Sequence, residues 1–177
     1  MLDVSVSYNR YKFIGHEFLT WLWFVMENQP DTIPSAAPSV GTVALQIGNR
    51  IVFERRIGND ALESVVIQGD DAGLEEGMLA LKKGALVTEI NLVLRVGEWR
   101  WQFTLQGESL HLKQIKLPET GPVETPDDVE GAVLERMALF ETITHTVDGL
   151  FRQFVLDRTS DNWMSVTLPR LKAWISR

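Results

Sequence analysis

The chain contains no cysteine. A disulfide framework and thiol catalysis are excluded, and with His16, His111 and His145 as the whole imidazole supply a structural zinc site lacks ligands. Long apolar runs are also missing: the most hydrophobic stretch, Phe18 to Met26, covers nine residues between Glu17 and Glu27, less than half of the roughly 20 that a spanning helix needs. The opening MLDVSVSYNRYKF has neither the basic n-region, the apolar h-region nor the small-residue cleavage site of an export signal. The expectation is a cytoplasmic protein without membrane contact. No glycine-rich phosphate loop, nucleophile elbow or paired-histidine metalloprotease motif occurs, so sequence motifs assign no cofactor, no metal and no catalytic residue. Excess positive charge is absent as well: 17 basic against 24 acidic side chains leave a net charge of −7, which argues against a globally basic nucleic-acid binder.

What is present is a globular composition, 45% hydrophobic and 23% charged over 177 residues, a length that suits one domain spanning 1–177. Its most unusual segment is GHEFLTWLWF, residues 15–24. Free of proline and of glycine after Gly15, residues 14–27 predict a helix whose apolar side chains run round nearly the whole circumference, hence one buried on most sides or kept for a partner. NQPDTIPSAAPS, with three prolines, reads as a Pro-rich loop over about 28–41. TVALQIGNRIVFER reads as two strands joined by a tight turn at Gly48-Asn49, and ESVVIQG as a third strand. DDAGLEEGMLALKKG carries acids first and lysines last before Gly84, the charge order of a short helix.

From Leu86 the apolar period becomes two. LVTEINLVLRV, WRWQFTLQ and SLHLKQIKL, separated by Gly97-Glu98 and Gly107-Glu108, predict a three-stranded antiparallel meander. Ile90, Leu92, Leu94, Trp99, Trp101, Phe103, Leu105, Leu110 and Leu112 would face the core, and Arg95, Arg100, Gln102, His111 and Lys113 the other side. The phase slips between Leu112 and Ile115, which predicts a bulge or strand end. A capping signal at Thr125 to Asp128 then opens a helix over about 127–157, with Val129, Val133, Met137, Phe140, Ile143, Val147, Leu150 and Phe154 at three- and four-residue spacing. A short closing helix is expected around Pro169. The fold class is therefore α+β: an antiparallel sheet, hairpin plus meander, packed with an aromatic N-terminal helix and a long C-terminal amphipathic helix.

Two clusters bear on function. Asp70, Asp71, Glu75 and Glu76 have the chemistry to hold Mg²⁺ for phosphodiester hydrolysis, but acids at a helix start are the ordinary complement of its dipole, and that reading weighs more. His16-Glu17 are adjacent on a helix and do not face each other; His111 and His145 have no partner at an informative spacing. The basic residues are more suggestive. Arg95, Arg100, His111, Lys113 and Lys116, with Arg50, Arg55 and Arg56, have the making of a local basic surface; an ordinary solvated or helix-covered sheet face weighs about equally. Between Pro118 and Asp161 ten acids stand against three arginines, so the C-terminal helical part holds the negative excess and the rest is balanced.

GHEFLTWLWF resembles the LGREFLTWLW-type motif that opens the C-terminal half of RdgC-like recombination-associated proteins. KKGALVTEINLVLRVGEWRWQFTLQGESLHLKQIKLP resembles the strand region that follows it, and the long and short helices come in the same order. The resemblance covers nearly all of this chain and about the last half of a usual member, and implies a truncated, RdgC-like protein. It further implies non-sequence-specific binding of double-stranded DNA by a dimer in recombination; some members are labelled exonucleases. On this expectation Arg95, Arg100, Lys113 and Lys116 carry phosphate contacts, while Trp21, Trp23 and Phe24 form a surface covered by self-association into a homodimer. The alternatives are an oligomerising or partner-binding module without DNA affinity, and a metal-dependent nuclease.

Overall fold

The computed structural model describes residues 13–30, 33, 43–57, 61–69, 75–121 and 128–177. In chain order the elements are α1 (Phe13–Asn28), β1 (Val43–Ile57), β2 (Ala61–Gln68), α2 (Glu75–Lys82), β3 (Leu86–Val96), β4 (Trp99–Gln106), β5 (Leu112–Lys116) and α3 (Asp128–Thr159). A π-helical turn (Trp163–Thr167) then leads into α4 (Leu168–Ile175). The strands make one antiparallel sheet in the order β2-β1-β3-β4-β5. The α+β class, the antiparallel sheet with its meander, the aromatic first helix and the long helix are all observed. Most of the Pro-rich 28–41 segment lies outside the described residues.

The four helices among the described residues gather on one side of the sheet, α1 directly against it. That face is built from Leu45, Ile51, Phe53, Ile90, Leu92, Leu94, Trp101, Phe103 and Leu105, all buried in one apolar cluster, because strand side chains alternate sides and these occupy matching positions. Against them lies α1, with Phe18, Leu19, Leu22 and Trp23 wholly buried. Its circumference is apolar because it has four neighbours: the sheet, α2 through Trp23 against Gly77, α3 through Phe18 against Phe151 and Phe154, and α4 through Trp23 and Phe24 against Trp174. Burial of each such side chain is worth roughly 1.5–3 kcal/mol. Close approach is needed where α1 meets the β4–β5 turn: a Cβ on Gly15 would stand 1.7 Å from the Gly107 carbonyl oxygen.

One expected turn is absent. Gly48-Asn49 does not join two strands; β1 runs through it as a single strand, with an irregularity between Ile47 and Ile51 in its register with β3. The reason is tertiary: a side chain on Gly48 would fall 2.0 Å from Asn91 Oδ1, and the Asn49 N–H donates to that oxygen at 3.4 Å. The hairpin is formed instead by β1 and β2, with Ile57 opposite Ala61. The expected slip in the last strand is present: Gln114 has φ 52°, and the register with β4 shifts between Gln102 and Thr104. This bulge leaves Leu112 and Ile115 packed on the core while Lys113 pairs with Thr104 and Lys116 with Gln102 on the opposite face. Leu110, expected in the strand, precedes it with φ 55°.

Helix α3 is amphipathic along its length but covered along only part of it. Ile143, Val147, Leu150 and Phe154 are buried, whereas Val129, Val133, Met137 and Phe140, on the same spacing, are 42–55% exposed.

Candidate nucleic-acid interface

The face of the sheet turned away from the helices is polar and cross-linked. Asn91 on β3 donates through Nδ2 to the Phe103 carbonyl (3.2 Å) and Thr104 Oγ1 (3.0 Å), and its Oδ1 accepts from Gln102 Nε2 at 2.9 Å. Thr104 passes the chain on to Gln114 Oε1 at 3.3 Å. Buried polar groups are costly unless satisfied, and this network satisfies them across β3, β4 and β5, giving the face a fixed floor.

The basic residues stand on that floor. Arg95 on β3 and Arg100 on β4 are direct cross-strand partners, and both are exposed. Like charges directly opposite each other in a sheet are destabilising, and among the described residues neither has an ion-pair partner. Lys116 is likewise exposed and stands opposite Gln102. Lys113 differs: its Nζ binds Glu89 Oε1 at 2.8 Å, while Arg50 Nη1 binds Glu89 Oε2 at 2.8 Å. Burial pushes the Glu89 carboxyl up, but the hydrogen bonds and charges of Lys113 and Arg50 outweigh it and hold the group below the ordinary carboxylate range. Of the other cations considered, Arg55 follows Phe53 by two residues, so it points to the helix-side face, where it pairs with Glu63 at 2.9 Å. Arg56 lies outside the described side chains.

Among the described residues the surface is therefore three cations without an ion-pair partner, Arg95, Arg100 and Lys116, beside a clamped group of two cations around one carboxylate. From the row of Arg95 and Arg100 to the row of Thr104 and Lys113 is four pairing steps, roughly 13 Å at about 3.3 Å per residue, a length that matches about four phosphates at 3.4 Å along one DNA strand. The sequence reading missed Glu89, although its odd-numbered position on β3 puts it in phase with Asn91 and Arg95.

The expected partner surface at Trp21, Trp23 and Phe24 is not on the surface. The three are 3%, 0% and 4% exposed, because α3 and α4 cover them. Their polar atoms are satisfied within the chain: Trp21 Nε1 donates to Asp157 Oδ2 at 3.0 Å, and Trp23 and Trp174 both donate to the Glu27 carboxylate. His16 is structural, its Nδ1 donating to the Val87 carbonyl at 3.1 Å; His111 and His145 are exposed. Glu75 and Glu76 lie exposed in the first turn of α2, and Asp70 and Asp71 are outside the described residues. Among the described residues no group of three or more histidine and acidic side chains is placed to hold a metal, and no helix is long and apolar enough to cross a membrane. No protein-family model matches the chain, and no curated protein does.

Proposed function

We propose that this protein binds double-stranded DNA without sequence preference through the face of its sheet opposite the described helices, as a cytoplasmic, RdgC-like recombination-associated protein. The observation that carries the reading is the uncompensated pairing of Arg95 with Arg100. A local arrangement that costs stability without a structural return is a mark of a functional site. Lys116 adds a third free cation on the same face, and non-specific DNA binding draws on phosphate neutralisation, which needs no base-reading element. The acidic C-terminal helical part repels phosphate and orients the duplex toward the sheet. The test is fluorescence anisotropy of a labelled duplex at low and near-physiological salt, with wild type and a variant carrying Arg95→Glu, Arg100→Glu, Lys113→Glu and Lys116→Glu. Saturable, salt-sensitive binding that the variant loses supports the reading; equal binding by both overturns it.

A second reading, a partner-binding or self-associating module, is favoured by a separate observation: the uncovered apolar stripe of Val129, Val133, Met137 and Phe140 on α3. Contiguous exposed apolar surface marks interaction sites. Light scattering after sizing tests it. A dimer dispersed by Met137→Glu with Phe140→Glu supports it, and a strictly monomeric wild type at micromolar concentration counts against self-association.

A further inference from the structure

Trp99 stands apart from the other five tryptophans. Trp21, Trp23, Trp101, Trp163 and Trp174 are at most 6% exposed, whereas Trp99 is 41% exposed. Sequence alternation expects it in the core, and it does lie on the helix-side face, stacked on Trp101 with ring centroids 6.2 Å apart at 30°. It sits at the end of the sheet, however, with Val96 opposite it and residues 135–142 of α3 beside it. Between them is a cleft of about 220 Å³ lined by Val96, Trp99, Trp101, Glu135, Leu139 and Thr142. Trp101 is fixed in the cleft wall by donating Nε1 to the Leu139 carbonyl at 3.0 Å, so the platform is rigid.

Arg95 and Arg100 occupy the same end of the same hairpin on its other face, one pairing step from Val96 and Trp99. An aromatic platform beside unpaired guanidinium groups is the combination that holds single-stranded nucleic acid: every base has a π-face to stack, and the cations take the adjoining phosphates. A carboxylate sharpens the match. Glu135 in the cleft wall keeps phosphate out of the cleft. A carboxylate there also accepts hydrogen bonds from exocyclic amino groups of a base.

We propose that the Trp99 cleft binds an unpaired nucleobase where a DNA duplex gives way to single strand, Trp99 stacking on the base and Arg95 and Arg100 holding the flanking phosphates. This rests on the DNA-binding reading above and adds a preferred substrate, DNA with a single-stranded end or junction.

The experiment compares a blunt duplex with the same duplex carrying a short single-stranded overhang, by anisotropy, using wild type, Trp99→Phe and Trp99→Ala. Wild type is expected to bind the overhang about tenfold more tightly, in keeping with one stacked base. Trp99→Phe should keep most of that preference and Trp99→Ala should abolish it while binding the blunt duplex as before. Intrinsic fluorescence supplies a second readout: with the other tryptophans buried, the overhang should quench wild type and not Trp99→Ala. A preference for the overhang that survives in Trp99→Ala, or no preference in wild type that still binds blunt duplex, overturns this inference and leaves duplex binding standing. Failure of wild type to bind either DNA overturns both.

Discussion

Glu89→Gln isolates the contribution of the basic face, because it removes one negative charge at the centre of that face and keeps the shape of the side chain. In the wild-type chain Glu89 holds Lys113 and Arg50, each at 2.8 Å, so that on the proposed DNA-binding reading Arg95, Arg100 and Lys116 meet the phosphates. Each phosphate neutralised contributes about −0.9 to the slope of log K against log salt, so three cations give a slope of about −2.7 and five give about −4.5. Between 50 and 200 mM salt that is a loss of affinity of about 40-fold for wild type and about 500-fold for the variant. The variant should therefore bind duplex DNA more tightly at low salt and lose the advantage steeply as salt rises. The stability cost should be small, about 1 kcal/mol, since the Lys113 and Arg50 side chains are 44% and 30% exposed and partly solvated ion pairs are worth little. The assay is anisotropy across a salt series, with urea unfolding to confirm that the variant is folded. A folded Glu89→Gln protein with wild-type affinity and slope would show that duplex DNA does not lie on this face.

Two predictions concern the fold itself. Gly15→Ala should destabilise by at least the roughly 1–3 kcal/mol of an overpacked core, because the new Cβ would meet the Gly107 carbonyl oxygen, a backbone atom, at 1.7 Å; a thermal transition within a degree of wild type would refute the α1–turn contact. Because the folded chain holds the Glu89 carboxyl below its ordinary range, its contribution is complete above the unfolded-state pKa of about 4.3 and is lost as pH falls through the lower folded value. Urea unfolding of wild type and Glu89→Gln should thus differ at neutral pH and converge in acid; a gap that persists below the folded value would remove Glu89 as its source.

The meander was legible because alternation is a local property: once Leu92 and Phe103 point one way, Arg95 and Arg100 point the other. The turn at Gly48-Asn49 was misread for a reason no local signal carries. Glycine followed by asparagine suits a tight hairpin, yet here the missing side chain makes room for Asn91, 43 positions along the chain, and the strand continues. Burial of Trp21, Trp23 and Phe24 was equally non-local. A helix apolar all round fits a buried core element and an exposed docking element alike, and only the arrival of Phe154 and Trp174 from α3 and α4 decides for the first.

Length limited what could be read from α3. Its stripe keeps one spacing from Val129 to Phe154, so every position on it looked like core. At 1.5 Å per residue its 32 residues extend about 48 Å, whereas β4, whose Trp101 bonds the Leu139 carbonyl of this helix, has 8 residues and extends roughly 26 Å. A helix longer than the strand it touches runs past it, and its first turns keep the same apolar spacing while Val129, Val133, Met137 and Phe140 stay 42–55% exposed. The functional surfaces follow from the same geometry. Among the described residues the helices lie on one side of the sheet, which leaves Arg95 and Arg100 exposed on the other; Trp99, on the helix side at the sheet's end, is covered by α3 only in part. Neither surface is written in a motif. Each arises where the supply of covering helix runs out, and there the residue types become informative, because a lone exposed tryptophan and a facing pair of arginines bring no stability to an edge that solvent already reaches.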